Sequence, residues 1–201
     1  MSKFELKDVR VTDGFFSDYA ELVRTEVIPY QWEALNDRIP GAEKSGCIHN
    51  FRIAAGEEEG EFVGMVFQDS DLGKWLEAVA YSLTTHPDKK LEAVADDVID
   101  LMARAQRPDG YMDTYFIIKE PHNRWKCLRD CHELYCAGHL LEAITHTRWW
   151  DYSNHRWNLD GYVSLSTSLL WGLMGLAVVQ WGTPLLLFVY RLVPALVMHI
   201  T

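Results

Sequence analysis

The densest group of side chains able to bind a metal or a substrate lies between Cys127 and His139 of the 201-residue chain. Its spacing is Cys127-x3-Cys131-His132-Glu133-x2-Cys136-x2-His139. On a helix, His132, Cys136 and His139 would share one face, which suits a soft divalent metal. One straight helix rarely supplies three ligands to one tetrahedral ion. The spacing therefore favours buried thiols and a core histidine over a metal site, and a sugar contact through His132 stays open.

Acidic side chains form a second group. Asp69 and Asp71 stand just before an apolar stripe that begins at Leu72. A carboxylate at a helix start is stabilised by free backbone N–H groups and by the helix dipole. Capping therefore explains at least one of the two aspartates, and contact with a substrate is the alternative. The acidic run from Glu57 to Glu61 is typical of a solvated loop.

Three tryptophans, Trp32, Trp75 and Trp125, carry flat rings that can stack on sugar faces. Trp75 lies on the apolar stripe, which favours a place in the core. Glycoside hydrolysis needs an acid and a nucleophile or base on either side of the scissile bond. Sequence spacing alone places no such pair in this chain.

The elements that must position these residues are helices. Apolar residues recur at helical spacing in four segments, 15–27, 72–83, 91–105 and 130–147. Pro29 predicts an end or kink of the first helix. Residues 36–49 are expected to form a loop, and residues 111–118 a short extended or irregular piece. The short connection 85–88 and the turn at 108–110 predict antiparallel hairpins. The fold class predicted is all-α.

Composition excludes some functions. The formal net charge is −10, and no basic cluster is present to neutralise a phosphate backbone, so a nucleic-acid partner is not expected. Four cysteines do not make a disulfide-dense secreted domain, and residues 1–6 show no apolar signal core. We expect residues 1–147 to be cytoplasmic, with reduced thiols.

The last quarter of the chain has a different composition. Residues 161–190 carry no charge, and a second apolar run continues to residue 200. This is long enough to cross a bilayer core of about 30 Å. Five tryptophans lie in or just before the run, at 149, 150, 157, 171 and 181. The pattern predicts a hydrophobic, membrane-span-like helical tail, with a buried helix of a soluble protein as the alternative.

Five ordered blocks carry a family resemblance. They are VIPYQWEALND (27–37), NFRIAAG (50–56), FVGMVFQDSDLGKWLEAVAYSL (62–83), ARAQRPDGYMDTYF (103–116) and CHELYCAGHLLEA (131–143). Together they resemble glycoside hydrolase family 127, the β-L-arabinofuranosidases. The resemblance implies a partial (α/α)6 barrel over residues 1–147 and retaining hydrolysis of terminal β-L-arabinofuranosyl groups.

The resemblance also implies where the chemistry lies. Family members use a zinc-bound cysteine thiolate as nucleophile and a glutamate as acid/base, and both lie in a later barrel segment. None of the four cysteines here matches that nucleophile or the other zinc ligands, so we expect no zinc on this chain and no activity from it alone. His132 matches the family histidine that contacts the sugar in the −1 subsite. A family glutamine before residue 50 has no counterpart in residues 38–49.

Residues 148–186 resemble a second family, the bacterial ABC-transporter permeases with several membrane spans. The change of resemblance falls near residues 145–148, inside a predicted helix, whereas natural domain boundaries fall in exposed linkers. The sequence therefore predicts two parts, 1–147 and 148–201, joined as a chimera.

Three functional hypotheses follow. The first is a β-L-arabinofuranosidase fragment with an L-arabinofuranoside as its sugar ligand. The second is an integral-membrane, permease-like protein with a soluble helical head, bound to the membrane through residues 161–200. The third is a helical sugar-binding module that contacts its ligand through His132. An incomplete barrel also exposes apolar faces, which predicts self-association.

Overall fold

The computed structural model describes residues 9–150, and it describes side chains up to residue 143. Within those residues every regular element is a helix and no strand occurs, so the all-α prediction is confirmed there. The α-helices are α1 (Gly14–Leu22), α2 (Ile28–Leu35), α3 (Cys47–Ala54), α4 (Asp69–Thr85), α5 (Lys89–Ala105), α6 (Thr114–Ile118) and α7 (Glu133–Trp150). A π-helical turn (Val23–Val27) joins α1 to α2, and a 3-10 turn (Pro121–Asn123) follows α6.

The first predicted helix does not end at Pro29. The N–H of Ile28 donates to the carbonyl of Val23, which closes the wider π turn. Pro29 then stands in the first turn of α2, where its missing N–H removes no bond from the helix interior. The helix therefore continues to Leu35, and the irregularity lies in the turn before the proline.

The hairpin of α4 and α5 agrees with the prediction. Only His86 to Asp88 separate the two helices. Asp88 caps α5, with its Oδ1 accepting from the N–H groups of Lys90 at 2.8 Å and Leu91 at 3.3 Å. The loop predicted for residues 36–49 is shorter than expected because α3 already begins at Cys47.

The stretch 111–118 is irregular only at its start. From Thr114 it forms the short helix α6, which Asp113 caps by accepting from the N–H of Phe116 at 3.3 Å. Weak alternation of apolar residues hid this single helical turn.

Helices α4 and α7 pack side by side and run in the same direction. Gly73 of α4 lies against His139 and Leu140, and a Cβ built there would approach the carbonyl carbon of His139 to 2.9 Å. One turn further along α4, Glu77 lies beside His139 and Glu142. The two helices are therefore parallel, and Gly73 permits their close approach because it has no Cβ.

The core lies between α2, α3, α4, α5 and α7. Trp75 is 1% exposed, and its Nε1–H donates to the carbonyl of Ile28 at 3.0 Å, so its predicted place in the core is confirmed. Trp32 stacks on it with ring centroids 4.7 Å apart. By contrast, α1 buries nothing among the described residues. Phe15 and Phe16 are 73% and 62% exposed.

Helix α7 begins at Glu133, three residues later than the expected Asp130, and its backbone continues through residues 145–148 to Trp150. No helix within residues 9–150 is long and apolar enough to cross a membrane. The predicted span 161–190 lies outside the described residues.

Candidate functional site

The residues singled out from the sequence meet where α4, α6 and α7 begin. Three carboxyl groups form the buried floor of this region, Asp69, Asp113 and Glu133, each 1–2% exposed. His132 and Asp71 lie above them at the partly exposed rim.

Asp69 ties α4 to α6. Its two carboxylate oxygens accept hydrogen bonds from the N–H of Thr114 at 2.6 Å and the hydroxyl of Thr114 at 2.5 Å. The predicted side-chain cap is wrong, because the N-cap of α4 is Gln68 and no side chain caps this helix. Burial raises the pKa of Asp69 above its usual value although both hydrogen bonds from Thr114 oppose this. Asp69 is engaged within the protein and does not reach the surface.

Asp113 is the second buried acid. Its Oδ1 caps α6, and its Oδ2 is buried without a hydrogen-bond partner. Burial, followed by the negative charges of Asp69 and Glu133, raises the pKa of Asp113. The buried negative charge of Asp69 thus disfavours ionisation of Asp113.

Glu133 fixes the loop that precedes α7. It accepts from the hydroxyl of Tyr111 at 2.6 Å and from the N–H of Trp125 at 2.8 and 3.1 Å. Trp125 has a positive φ of 64°, a left-handed conformation that costs energy for a tryptophan. The buried carboxylate holds that strained residue in place, and Arg124 stacks over the Tyr111 ring at 3.7 Å.

His132 stands outside α7 on left-handed backbone, with φ 58°. Its ring is half-buried, at 5.2 Å from the ring of Phe67 and 5.9 Å from that of Tyr135. The prediction from spacing that His132 lies in the core is therefore wrong. Because His132 precedes α7, it does not share a helix face with Cys136 and His139. Nδ1 lies 3.0 Å from the carbonyl oxygen of Asp130. Because a carbonyl only accepts, Nδ1 carries the hydrogen and Nε2 is left to bind another group.

Asp71 belongs to the same rim. It accepts from Nε2 of Gln68 at 2.9 Å and pairs with Nζ of Lys74 at 3.3 Å. Lys74 in turn lies 5.1 Å from the centre of the Tyr135 ring, which adjoins His132. The structure thus brings His132 and Asp71 to one polar rim and places Asp69 beneath it.

The four cysteines differ in their burial and in the pKa of their thiols. All four are free thiols. Of the three cysteines between residues 127 and 136, only Cys136 is buried as predicted, and Cys47 is buried as well. Burial raises the pKa of both thiols, which keeps them protonated. Cys127 and Cys131 are only half-buried, and their mutual contact raises the pKa of Cys131 to about 11. No cysteine takes part in a three-residue group that could hold an ion in the described part of the chain.

Sequence reasoning missed four residues of this site. Thr114 binds Asp69, and Tyr111 binds Glu133, across the chain. Asp113 is buried with them. Local spacing gave no sign of these long-range contacts. One local sign existed, since an aspartate followed by a threonine and an apolar run is a helix-start pattern.

The acidic run 57–61 is more than a solvated loop. Glu58 pairs with Nδ1 of His49 at 2.6 Å and with Arg52 at 2.9 Å, and Glu57 pairs with Arg104 of α5 at 2.5 Å.

Comparison with known proteins gives one match over most of the chain. Residues 8–154 match the family model for "Beta-L-arabinofuranosidase, GH127 catalytic domain". Residues 131–201 match a second model, "Putative ABC-transporter type IV". The two matches overlap over residues 131–154, and the predicted boundary at 147/148 stays a prediction.

Individual relatives agree with the first match. A non-reducing end beta-L-arabinofuranosidase of Bifidobacterium longum subsp. longum is 41% identical over 152 residues, which are 68% of this chain and 23% of the relative. The crystal structure of a GH127 beta-L-arabinofuranosidase from Geobacillus stearothermophilus T6 is similar with a TM-score of 0.72 and 60% identity, over 77% of this chain and 24% of that one. A second GH127 beta-arabinofuranosidase structure has a TM-score of 0.66 and 31% identity, over 79% of this chain and 25% of that one.

The chain spans about a quarter of the length of these relatives. The family match nevertheless covers well over half of the chain itself. The chain therefore belongs, through this catalytic-domain segment, to glycoside hydrolase family 127, the family of the β-L-arabinofuranosidases.

Proposed function

We propose that residues 9–143 form one wall of the sugar-binding site of a β-L-arabinofuranosidase that hydrolyses terminal β-L-arabinofuranosyl groups with retention. The observation that carries the proposal is the presentation of His132, which matches the sugar-contacting histidine of the family. It stands on left-handed backbone, clear of α7, with Nδ1 engaged and Nε2 left to bind a sugar hydroxyl.

The arrangement of helices supports a partial (α/α)6 barrel. In such a barrel the inner helices run parallel to one another. Here α4 and α7 run parallel, and α5, which lies between them in the sequence, returns in the opposite direction. His132 and Asp71 lie at one end of this pair, where the surface of an inner barrel is open to a ligand. The buried Asp69–Thr114 and Glu133–Tyr111 contacts hold that end rigid.

The described residues hold neither a nucleophile nor an acid/base pair across an open site. The four thiols do not fit the zinc-bound thiolate of the family, because no cysteine belongs to a three-residue ligand group in the described part of the chain. We therefore propose that the chain is inactive on its own. With an aryl β-L-arabinofuranoside and added zinc, the purified chain should give no turnover above a blank, and clear turnover would refute this.

A segment exchange tests the function itself. Residues 9–143 replace the matching segment of the Geobacillus stearothermophilus enzyme, with which the chain shares 60% identity. The hybrid should hydrolyse an aryl β-L-arabinofuranoside and leave the α-L-anomer intact. A hybrid that folds, as judged by its circular dichroism, but hydrolyses neither anomer would contradict the proposal.

A second candidate function rests on the match of residues 131–201 to a transporter family. In that reading the chain is a permease-like membrane protein with a helical head, and residues 1–147 face the cytoplasm. Cell fractionation separates the two candidates. Recovery in the membrane fraction, with release only by detergent, would favour the permease-like function. It would also show that residues 148–201 attach the chain to a membrane.

A further inference from the structure

We propose that Glu77, His139 and Glu142 form a binding site for one divalent transition-metal ion on the shared face of α4 and α7. One ligand atom from each of the three side chains lies within 4.8 Å of the others. Nothing in the β-L-arabinofuranosidase proposal uses these residues. They lie further along both helices than the rim that carries His132.

The backbone brings these side chains together. His139 and Glu142 are three residues apart on α7, so they project from the same face of that helix. Glu77 follows Gly73 by one turn on α4, and Gly73 lies directly against His139 of α7. Leu76 and Leu140, both fully buried, pack beside the site and restrict its movement. The ligand atoms are therefore carried by rigid elements.

His139 supplies the strongest sign of a ligand. Its Nδ1 is buried from solvent and has no hydrogen-bond partner. Oε2 of Glu142 lies 3.5 Å from it. The ring of Tyr135 packs edge-on against the imidazole, with centroids 4.6 Å apart, and fixes its orientation. A buried, oriented imidazole nitrogen without a hydrogen-bond partner is suited to donate its lone pair to a metal.

The set of donors determines the class of ion. One imidazole nitrogen with two carboxylates is a mixed nitrogen and oxygen donor set, and the imidazole favours divalent transition metals. Calcium would require six to eight oxygen ligands, and magnesium a near-ideal octahedron of oxygens. The inference departs from the expectation, drawn from the sequence, that this chain holds no ion. That expectation concerned thiolates, whereas these ligands are an imidazole and two carboxylates.

Titration of the full chain with Co²⁺ in chelator-treated buffer tests the site. Calorimetry should show a single ion per chain, and the absorption spectrum should show nitrogen and oxygen ligands without a thiolate charge-transfer band. His139→Gln and Glu77→Gln should each weaken binding by at least about tenfold, the lower end of what loss of even an outer-shell partner costs. His122→Gln, which removes an exposed histidine outside the site, should leave binding unchanged.

Circular dichroism of each variant shows whether its helices are retained. Three results would overturn the proposal: no Co²⁺ binding by the folded chain, equal affinity in folded His139→Gln and the parent, or a thiolate band that assigns the ion to cysteine. Equal affinity for Mg²⁺ would overturn the assignment to a transition metal. Because Glu77 and His139 lie on different helices, either variant tests the site if the other fails to fold.

Discussion

At the scale of single residues, Asp113 makes the stability of the chain depend on pH. Burial raises its pKa above the usual 3.8, as it does for the neighbouring Asp69. The folded chain therefore holds more protons than the unfolded chain above about pH 4. The free energy of unfolding then falls as the pH rises through this window towards the folded pKa, because the buried pair must ionise.

Asp113→Asn should remove much of this pH dependence while keeping an oxygen to cap α6. Between about pH 5 and about pH 8, the free energy of unfolding of the parent, measured in urea, should fall by about 1 kcal/mol or more relative to that of the variant. One pKa unit corresponds to about 1.4 kcal/mol. Asp109→Asn is the matched control, because Asp109 is exposed and its pKa is lowered. Parallel stability curves for the parent and Asp113→Asn would contradict the account.

At the scale of helices, Gly73 sets the distance between α4 and α7. A Cβ at this position would lie 2.9 Å from the backbone of His139, which cannot move without shifting α7. Gly73→Ala should therefore lower the free energy of unfolding by about 1–3 kcal/mol, as overpacking does. Gly138→Ala on α7 meets nothing within 4 Å and should stabilise the chain by up to about 1 kcal/mol. Equal effects of the two substitutions in denaturant unfolding would refute the close packing.

Helices with a long apolar stripe were predictable from sequence, and contacts between distant residues were not. The stripe from Leu72 and the short connection 85–88 were enough to place α4 and α5. Spacing placed His132 on a helix because it carries no information on the left-handed backbone that this residue adopts. The role of Asp69 was likewise missed, since its partner Thr114 lies 45 residues away.

At the scale of the molecule, the described helices leave an apolar face open. Phe15 and Tyr19 of α1 are 73% and 61% exposed and stack on each other at 6.5 Å. Exposed apolar patches favour association, so the full chain should sediment as oligomers. Phe15→Ser with Tyr19→Ser should shift it towards the monomer, because these substitutions remove the patch without touching the core. An unchanged sedimentation profile would show that α1 takes no part in association.

His132 is the proposed sugar contact on this wall of the site, and the proposed function depends on it. The most direct measurement is kcat/KM for an aryl β-L-arabinofuranoside with the hybrid enzyme that carries residues 9–143, comparing His132→Ala with His122→Ala. Loss of the hydrogen bond between the sugar and His132 predicts a decrease of about tenfold in kcat/KM for His132→Ala. Substitution of the exposed His122 should leave kcat/KM unchanged. Equal kcat/KM values for the two variants would contradict the central claim.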